Sequence, residues 1–383
     1  MSNDYRCCLE VDLEKIHANG RNVKRYIGNT RLMAVLKGNA YGLGIRDCAQ
    51  ALADVSDWFA VATAQEALSI RQSGLRNPIL VLGYVPSDQI QSMVKNNITL
   101  STISIEDVKR IQNVLSKEDR IQMHIAIDTG LTRIGLFSQK MDVDDLARQA
   151  EEILVMDQVI ITGIFTHFAV AGSIMDEDKR FTLEQYRIFR TVVDSLEQEG
   201  YELGLRHCCN SNAILQEHEM YEDMVRCGKF LFGFGQQKDL EKLQCQLAFK
   251  LQARVVRTSI IQANQNVGYG RVYITNKKTK IATISFGFGD GYRREMGRNS
   301  EVLVNGHRAK IVGRVAMDYL MLDVTNLPQI QAGDHVVLMG HDGTDVILPS
   351  EVSNLISASS NELISNLNAR VPRIYLKQTG KEI

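Results

Sequence analysis

The apolar run Leu32-Met33-Ala34-Val35-Leu36 ends in Lys37 and is followed at once by Gly38-Asn39-Ala40-Tyr41-Gly42. Five consecutive apolar residues are typical of a strand that is buried on both faces, as in a parallel sheet. A lysine at the end of such a strand is costly, because desolvation disfavours its charged form. The same desolvation makes a neutral, nucleophilic amine easier to form. The stretch therefore predicts either a reactive lysine or one whose amine reaches water at the edge of the sheet.

Seven further apolar runs alternate with longer amphipathic segments, which is typical of repeated βα units. One intervening helix is predicted over Ser104–Leu115, with Ser104 as its N-cap. Eight such units fit the roughly 250 residues of a closed barrel, so we predict an α/β fold, a (β/α)8 TIM-like barrel, over residues 12–245. The predicted strands are Arg31–Lys37, Trp58–Thr63, Ile79–Gly83, Thr99–Ile103, Ile121–Asp128, Ile160–His167, Leu205–Asn210 and Met224–Phe230.

The sequence pattern changes near Gln246, after which strand-like stretches are separated by turns rich in glycine and asparagine. This pattern predicts an all-β C-terminal domain over residues 246–383. The segment Tyr5–Val11 also has the composition of a strand, and we expect residues 1–11 to pair with the C-terminal domain. The strands predicted in that domain are Leu247–Val256, Lys280–Phe286, Glu301–Val304, Ala309–Val312 and His335–Met339.

Composition narrows the classes of function. The 383 residues include 44 basic and 45 acidic side chains, so no global positive field is available to attract nucleic acid. Seven cysteines without C-x-x-C spacing argue against a disulfide framework or a zinc site, and eight histidines lack the spacing of metal ligands. No apolar run reaches the roughly 18 residues that span a bilayer. We expect a cytoplasmic protein that binds no metal.

Several polar residues are predicted at the C-terminal ends of the barrel strands, where barrel enzymes place their working groups. They are Arg133, His167, Asn210, Ser211, Arg226 and Gly228. Loops after the seventh and eighth strands often bind phosphate, and Ser211 and Gly228 suit that role. Three of them also have a structural alternative, because His167 could be a satisfied core histidine, Arg226 could form an ion pair at the rim, and Ser211 could be the N-cap of the following helix. A lysine and a phosphate site on one face together indicate pyridoxal 5'-phosphate, which carries an aldehyde and a phosphate.

At these motifs the sequence resembles the fold-type III pyridoxal-phosphate alanine racemases, over nearly the whole chain. The resemblance implies that Lys37 holds the cofactor aldehyde as a Schiff base and that Tyr41 contacts the phosphate. The resemblance also implies that Arg133, at the end of the motif Asp128-Thr129-Gly130-Leu131-Thr132-Arg133, contacts the cofactor phenolic oxygen and the substrate carboxylate. His167 would pack on the ring. By the same resemblance Asn210, Ser211 and Gly228 bind phosphate and Arg226 contacts the pyridine nitrogen.

The C-terminal domain carries two further motifs of this family. Val267-Gly268-Tyr269-Gly270-Arg271 resembles the segment with the second catalytic base, and Gly313-Arg314-Val315-Ala316-Met317-Asp318 the one whose Met317 contacts the substrate carboxylate. Racemisation removes a proton from one face of the substrate Cα and returns one to the other, so two bases must flank it. Lys37 and Tyr269 would be this pair. The resemblance implies that the tyrosine comes from the second subunit of a homodimer.

The chain departs from the family pattern at three informative positions. Ala126 stands where many alanine racemases have a carbamylated lysine that braces the barrel arginine, so we expect an anion or water to hold Arg133. Asn361 and Phe288 stand where a tyrosine is usual. Asparagine frees volume and offers a short donor and acceptor, which suits the hydroxymethyl of serine. The same substitution marks the VanT-type serine/alanine racemases of vancomycin-resistance clusters, whose catalytic half follows a membrane domain.

The sequence therefore predicts an isomerase that interconverts L- and D-serine, and L- and D-alanine, for peptidoglycan precursors. An ordinary alanine racemase in which Asn361 is silent remains an alternative, and a membrane domain that precedes this segment in the natural protein remains open. A decarboxylase of basic amino acids is disfavoured, because the motifs at Tyr269 and Met317 are racemase-like. A third alternative from another class is a non-catalytic pyridoxal-phosphate carrier or sensor, although the small single-barrel carriers lack a β domain.

Overall fold

The computed structural model describes residues 5–297 and 299–376. After a first strand, β1 (Cys7–Asp12), eight strands form one parallel sheet, which confirms the predicted (β/α)8 barrel. Helices connect the first seven of these strands, and two 3-10 turns, Ala213–Leu215 and His218–Met220, precede the eighth. The strands are β2 (Arg31–Val35), β3 (Trp58–Val61), β4 (Ile79–Val81), β5 (Thr99–Ser101), β6 (Ile121–Ala126), β7 (Val159–Phe165), β8 (Leu205–His207) and β9 (Met224–Cys227). In spatial order β8 is followed by β7 and so on down to β2, which pairs with β9.

Two backbone hydrogen bonds link the last two strand regions of the barrel. The Asp223 amide donates to the Arg206 carbonyl at 3.1 Å, and the Arg226 amide donates to the Cys209 carbonyl at 2.9 Å. Strands β2 to β6 are almost completely buried, which explains why each reads as an apolar run.

The helices carry an apolar stripe toward the sheet and a polar face outward. The predicted N-cap is confirmed, since Ser104 Oγ accepts from the Asp107 amide at 3.2 Å. The helices are Leu13–Ile27, Ile45–Leu52, Ala64–Gln72, Ser87–Lys95, Ile105–Gln112, Val143–Leu154, Asp176–Gln198, Gln237–Leu243, Pro349–Leu355 and Ser360–Ser365.

Most barrel strands end about two or three residues earlier than the apolar runs predict. After β6, for example, the Asp128 amide donates to the Leu136 carbonyl at 2.9 Å, so the chain has left the ladder while its residues are still buried. Burial continues past the last ladder bond because the C-terminal loops fold over the end of the sheet. Lys37 and His167 accordingly lie just beyond their strands.

The second sheet is mostly antiparallel, which confirms the predicted β region. Its strands after β1 are β10 (Phe249–Ile261), β11 (Thr279–Ile284), β12 (Glu301–Val304), β13 (His307–Val312), β14 (Leu320–Asp323), β15 (His335–Asp342), β16 (Asp345–Ile347) and β17 (Arg373–Leu376). β1 pairs antiparallel with β10, with Leu9 opposite Leu251, and parallel with β17. Three short strands, β14, β16 and β17, were not predicted.

The described residues divide into two compact units. The barrel unit comprises 17–40 and 45–231, and the β unit comprises 5–16, 41–44 and 232–376. The predicted boundary at 245/246 stays a prediction. All seven cysteines are buried and none is in a disulfide. No helix in the described part of the chain combines the length and apolarity needed to cross a membrane.

Two glycines of the barrel unit have positive φ, but a side chain would meet neighbouring atoms at only one of them. Gly200 and Gly204 have φ of +90° and +69°; a Cβ on Gly200 meets nothing within 4 Å, whereas one on Gly204 would lie 2.3 Å from Thr162 backbone atoms. We expect Gly200→Ala to cost about 1–2 kcal/mol, the left-handed penalty alone. Gly204→Ala should cost clearly more, because backbone must move. Chemical denaturation of both variants measures the difference, and equal losses would contradict this packing.

Candidate active site

The segment after β2 is a turn of left-handed backbone. Gly38, Asn39, Ala40 and Tyr41 have φ of 66°, 56°, 53° and 55°, directly after Lys37. Non-glycine residues adopt this conformation at a cost of about 1–2 kcal/mol each, so three in succession store strain. Strain of this kind persists only where surrounding contacts fix it.

Three hydrogen bonds fix the turn. The Ala40 amide donates to the Leu36 carbonyl at 2.7 Å. The Asn39 amide donates to Glu66 Oε1 at 2.9 Å, and Asn39 Oδ1 accepts from the Ile45 amide at 2.9 Å. Lys37 therefore leaves the sheet from a rigid segment.

Arg226, the third residue of β9, has a side chain at the centre of a buried network. It is 3% exposed, and Nη1 donates to His207 Nδ1 at 2.6 Å and to the His207 carbonyl at 2.9 Å. Nη2 donates to the carbonyls of Thr166 and Cys208 and to His167 Nδ1, at 2.8, 3.0 and 3.0 Å. All these acceptors are uncharged, and burial lowers the pKa of Arg226 to about 10. The alternative of a rim ion pair is therefore wrong.

The arginine fixes the tautomers of three histidines. A guanidinium only donates, so Nδ1 of both His167 and His207 must accept and their protons lie on Nε2. His207 Nε2 then donates to His124 Nδ1 across 2.9 Å, which leaves the His124 proton on Nε2. Burial, then the charge of Arg226, lowers the pKa of His124 to about 3 and those of His167 and His207 well below the ordinary value. The three rings are thus neutral.

Lys37 itself is half-buried. Burial lowers its pKa, the charges of Arg133 and Arg226 lower it further, and the carboxylate of Glu66 opposes them. Three cationic side chains therefore act on one region of the barrel unit. Such a region favours an anionic ligand and makes the neutral form of the lysine more accessible.

The loop that carries Arg133 is shaped by Asp128. The Asp128 carboxylate accepts from the amides of Gly130, Thr132 and Arg133, at 3.0, 2.9 and 2.7 Å. The Arg133 side chain is exposed, and within residues 5–297 and 299–376 no hydrogen bond or ion pair of its guanidinium is present. Ala126 is 2% exposed and has no polar side-chain group to brace it. The predicted anion or water beside Arg133 stays a prediction.

The predicted phosphate-binding residues meet after β8 and β9. The Gly228 amide donates to Ser211 Oγ at 2.9 Å, so a hydroxyl and a backbone amide lie side by side. Asn210 Oδ1 accepts from the amides of Asn212 and Ala213, at 2.9 and 3.2 Å. Asn210 therefore caps the following turn, and the alternative of Ser211 as an N-cap is wrong.

The other predicted site residues belong to the β unit. Tyr41 packs against Phe232, with ring centroids 5.4 Å apart. Tyr269 is 68% exposed on a loop whose flanking residues Gly268 and Gly270 have φ of 73° and 72°. Met317 is 56% exposed and its carbonyl accepts from the Gly289 amide at 2.9 Å. Asn361 is half-buried in the helix Ser360–Ser365.

Sequence reasoning missed three residues of the barrel site, His124, His207 and Glu66. A histidine between apolar residues of a strand was an available signal for His124, whereas His207 follows Arg206 in β8. Nothing in the sequence pairs the two histidines across 83 positions. Glu66 had a stronger signal, since Thr63-x-x-Glu66 is a capping-box pattern. The structure contains that box at the start of Ala64–Gln72.

Models of one protein family match both parts of the chain. The model described as alanine racemase, N-terminal domain, matches residues 11–236, and the model described as alanine racemase, C-terminal domain, matches residues 248–375. This chain belongs to the alanine racemase family. The family predicted from the motifs is confirmed, and with it the coarser functional class, a pyridoxal-phosphate-dependent racemase.

Individual members of the alanine racemase family agree over nearly the full length. "Alanine racemase 1" of Caldanaerobacter subterraneus is 36% identical, over 96% of this chain and 94% of the relative. The crystal structure of alanine racemase from Bacillus anthracis with bound L-Ala-P has a TM-score of 0.90 at 28% identity, over 99% of this chain and 97% of that one. Alanine racemase from Bartonella henselae with covalently bound pyridoxal phosphate has a TM-score of 0.84 at 26% identity, over 97% and 100%.

The neutral histidines make stability depend on pH. The folded-state pKa of His124, about 3, lies below its ordinary value, so the unfolded chain binds the extra proton first as the pH falls below about 6.5. Stability is therefore lost on acidification. His124→Gln keeps an acceptor for His207 but cannot titrate. Between about pH 7.5 and about pH 5.5 its free energy of unfolding should fall by about 1.4 kcal/mol less than that of the wild type. Chemical denaturation at both pH values measures this, and equal losses would mean that His124 is protonated in the folded state.

Proposed function

We propose that this member of the alanine racemase family racemises serine as well as alanine and supplies D-amino acid for peptidoglycan precursors. Pyridoxal phosphate would bind in the barrel unit, with Lys37 and Tyr269 as the two bases. The proposal depends chiefly on Asn361, a short amide where the family usually has a tyrosine, at a half-buried position on Ser360–Ser365. The NH2 group of an amide donates hydrogen bonds and its carbonyl oxygen accepts them, so asparagine suits a substrate hydroxyl, which can do both.

The described residues of the barrel unit fit the cofactor. Arg226 Nη1 and Nη2 have five acceptors, whereas no described acceptor lies within bonding distance of its Nε–H. The Nε–H of Arg226 is therefore suited to donate to the pyridine nitrogen of the cofactor, which accepts when it is unprotonated. The Ser211 hydroxyl, which accepts from the Gly228 amide, can itself donate to a phosphate, and the lowered pKa of Lys37 suits attachment to an aldehyde. When bound, pyridoxal phosphate supplies an electron sink that acidifies the substrate Cα–H.

Lys37 would exchange a proton with one face of the substrate Cα. Its lowered pKa leaves more neutral amine available near neutral pH, and the backbone that follows it is held by the bond from the Asn39 amide to Glu66. Arg133, exposed at the barrel end on a loop ordered by Asp128, would bind the substrate carboxylate. Arg226 cannot readily give up its proton, so it would hold the cofactor ring without protonating it.

Tyr269 would exchange a proton with the opposite face, as a residue of a second copy of the chain. Its high exposure on a loop between two left-handed glycines supports this, because an aromatic side chain so placed is available to another surface. Met317, also exposed, would contact the substrate carboxylate in the same shared site. The assembly proposed is therefore a homodimer with two composite sites.

An ordinary alanine racemase is the second candidate, and it is favoured by the names of the relatives quoted above. In that case Asn361 has no effect on the choice of substrate. The non-catalytic carrier is the weakest candidate, because family models match the β region as well as the barrel. A relation to vancomycin-resistance clusters, and a membrane domain before this segment, remain part of the proposal only.

Substrate choice is tested by replacing the asparagine. Asn361→Tyr should lower the ratio of kcat/KM for L-serine to kcat/KM for L-alanine by about tenfold, because the added ring removes the volume and hydrogen bonds available to the hydroxymethyl group. Chiral separation of D-serine and D-alanine measures both rates. Asn366→Tyr, at the exposed end of the same helix, is the control and should leave the ratio unchanged. If the wild type produced D-alanine but no D-serine, the chain would be an ordinary alanine racemase and the proposal for serine would be wrong.

The shared site is tested by mixing two inactive variants. Lys37→Ala and Tyr269→Phe should each abolish racemisation when assayed alone. After subunit exchange, about half of the dimers are mixed and each has one intact site, so about one quarter of wild-type activity should return. If each site lies within one chain, mixing restores nothing. A wild-type sample taken through the same exchange controls for losses.

A further inference from the structure

We infer that Glu66 is a positioning residue for Lys37: its carboxylate clamps the left-handed turn that follows the lysine and places a negative charge against the cations of the site. Glu66 lies on the first turn of Ala64–Gln72, after β3, and is far from the lysine in sequence. Its importance for catalysis rests on the proposed role of Lys37, but its effect on the amine does not require racemisation and is measured without it.

Each oxygen of the Glu66 carboxylate has its own partners. Oε2 accepts from the amides of Ala62 and Thr63, at 2.8 and 3.3 Å, which is the usual work of a capping-box glutamate. Oε1 accepts from the Asn39 amide at 2.9 Å. The capping box accounts for the first oxygen only. The second ties the loop after β3 to the turn after β2, across 27 positions of the chain.

The bond to Asn39 is needed because the turn is strained. Asn39, Ala40 and Tyr41 all have positive φ, and the turn would relax toward ordinary backbone without contacts that hold it. An ionised carboxylate accepts a stronger hydrogen bond than a neutral amide oxygen does. Glu66 therefore determines the direction in which the backbone carries Lys37 out of the sheet.

The charge of Glu66 has a separate effect. The charged groups of the described chain that act on Lys37 are Arg133, Arg226 and Glu66, and His167 beside them is neutral. The two arginines disfavour the ammonium form and Glu66 alone of the three favours it. Glu66 therefore offsets part of the lowering of the Lys37 pKa that burial and the two arginines cause.

Competitive labelling of apoprotein lysines with acetic anhydride, read by mass spectrometry across a pH series, tests this inference. Glu66→Gln is nearly isosteric but uncharged, so the labelling midpoint of Lys37 should fall by about 0.5 pH unit, and labelling below the midpoint should become about threefold faster. The matched control is Ser104→Ala, which also removes a side-chain cap at the start of a barrel helix, Ile105–Gln112. Its Lys37 midpoint should equal that of the wild type.

The outcomes separate positioning from general stabilisation. A midpoint unchanged or raised in Glu66→Gln, or lowered equally in Ser104→Ala, overturns the inference. If Glu66→Gln does not fold, Glu66→Asp keeps the charge but is one methylene too short to reach both loops, and hydrogen exchange of residues 37–41 should then be faster than in the wild type. Equal exchange would overturn the clamp. A chain that passes these tests but does not racemise contradicts the proposed function alone.

Discussion

The site depends on a guanidinium, that of Arg226, which is buried and has no counter-ion among the residues that the structure describes. Desolvating a charge costs several kcal/mol unless hydrogen bonds replace water, and Arg226 recovers part of this cost from three carbonyls and two imidazole nitrogens. Since these acceptors are neutral, its positive charge is not cancelled locally. The low pKa values of His167, His207 and Lys37 all have this uncancelled charge among their causes.

The hydrogen bonds of Arg226 also fix which nitrogen of each neighbouring histidine donates and which accepts. Arg226 donates to Nδ1 of His167 and of His207, which holds each imidazole in one tautomer. Neither ring can reverse its hydrogen bonds without losing the bond from the arginine. A carboxylate in place of the guanidinium would allow protons to move along the chain of rings. The barrel therefore presents fixed donors and a fixed positive field, and these are the properties that pre-organise a site for an anionic ligand.

The sequence predicted the barrel well because its signals are local. Apolar runs before polar ends revealed all eight strands and the positions of Lys37 and Arg226. The ends of the strands were less predictable, because residues such as Asp128 stay buried after they leave the ladder. The composition of the N-terminal strand did indicate that it pairs with the distant C-terminal domain. Contacts of individual side chains with distant segments were not predicted, and the pairing of His124 with His207 and of Glu66 with Asn39 belongs to this class. No periodicity encodes which loop a side chain meets.

The left-handed turn also limits how this enzyme family member could become more stable. Ala40 is buried and has φ of 53°, a conformation that glycine adopts without a steric penalty. A laboratory selection for heat resistance alone would therefore favour glycine in this turn, and would at the same time loosen the segment that carries Lys37. At this one backbone position, lower strain and a well-ordered segment next to Lys37 therefore make opposite demands on the residue.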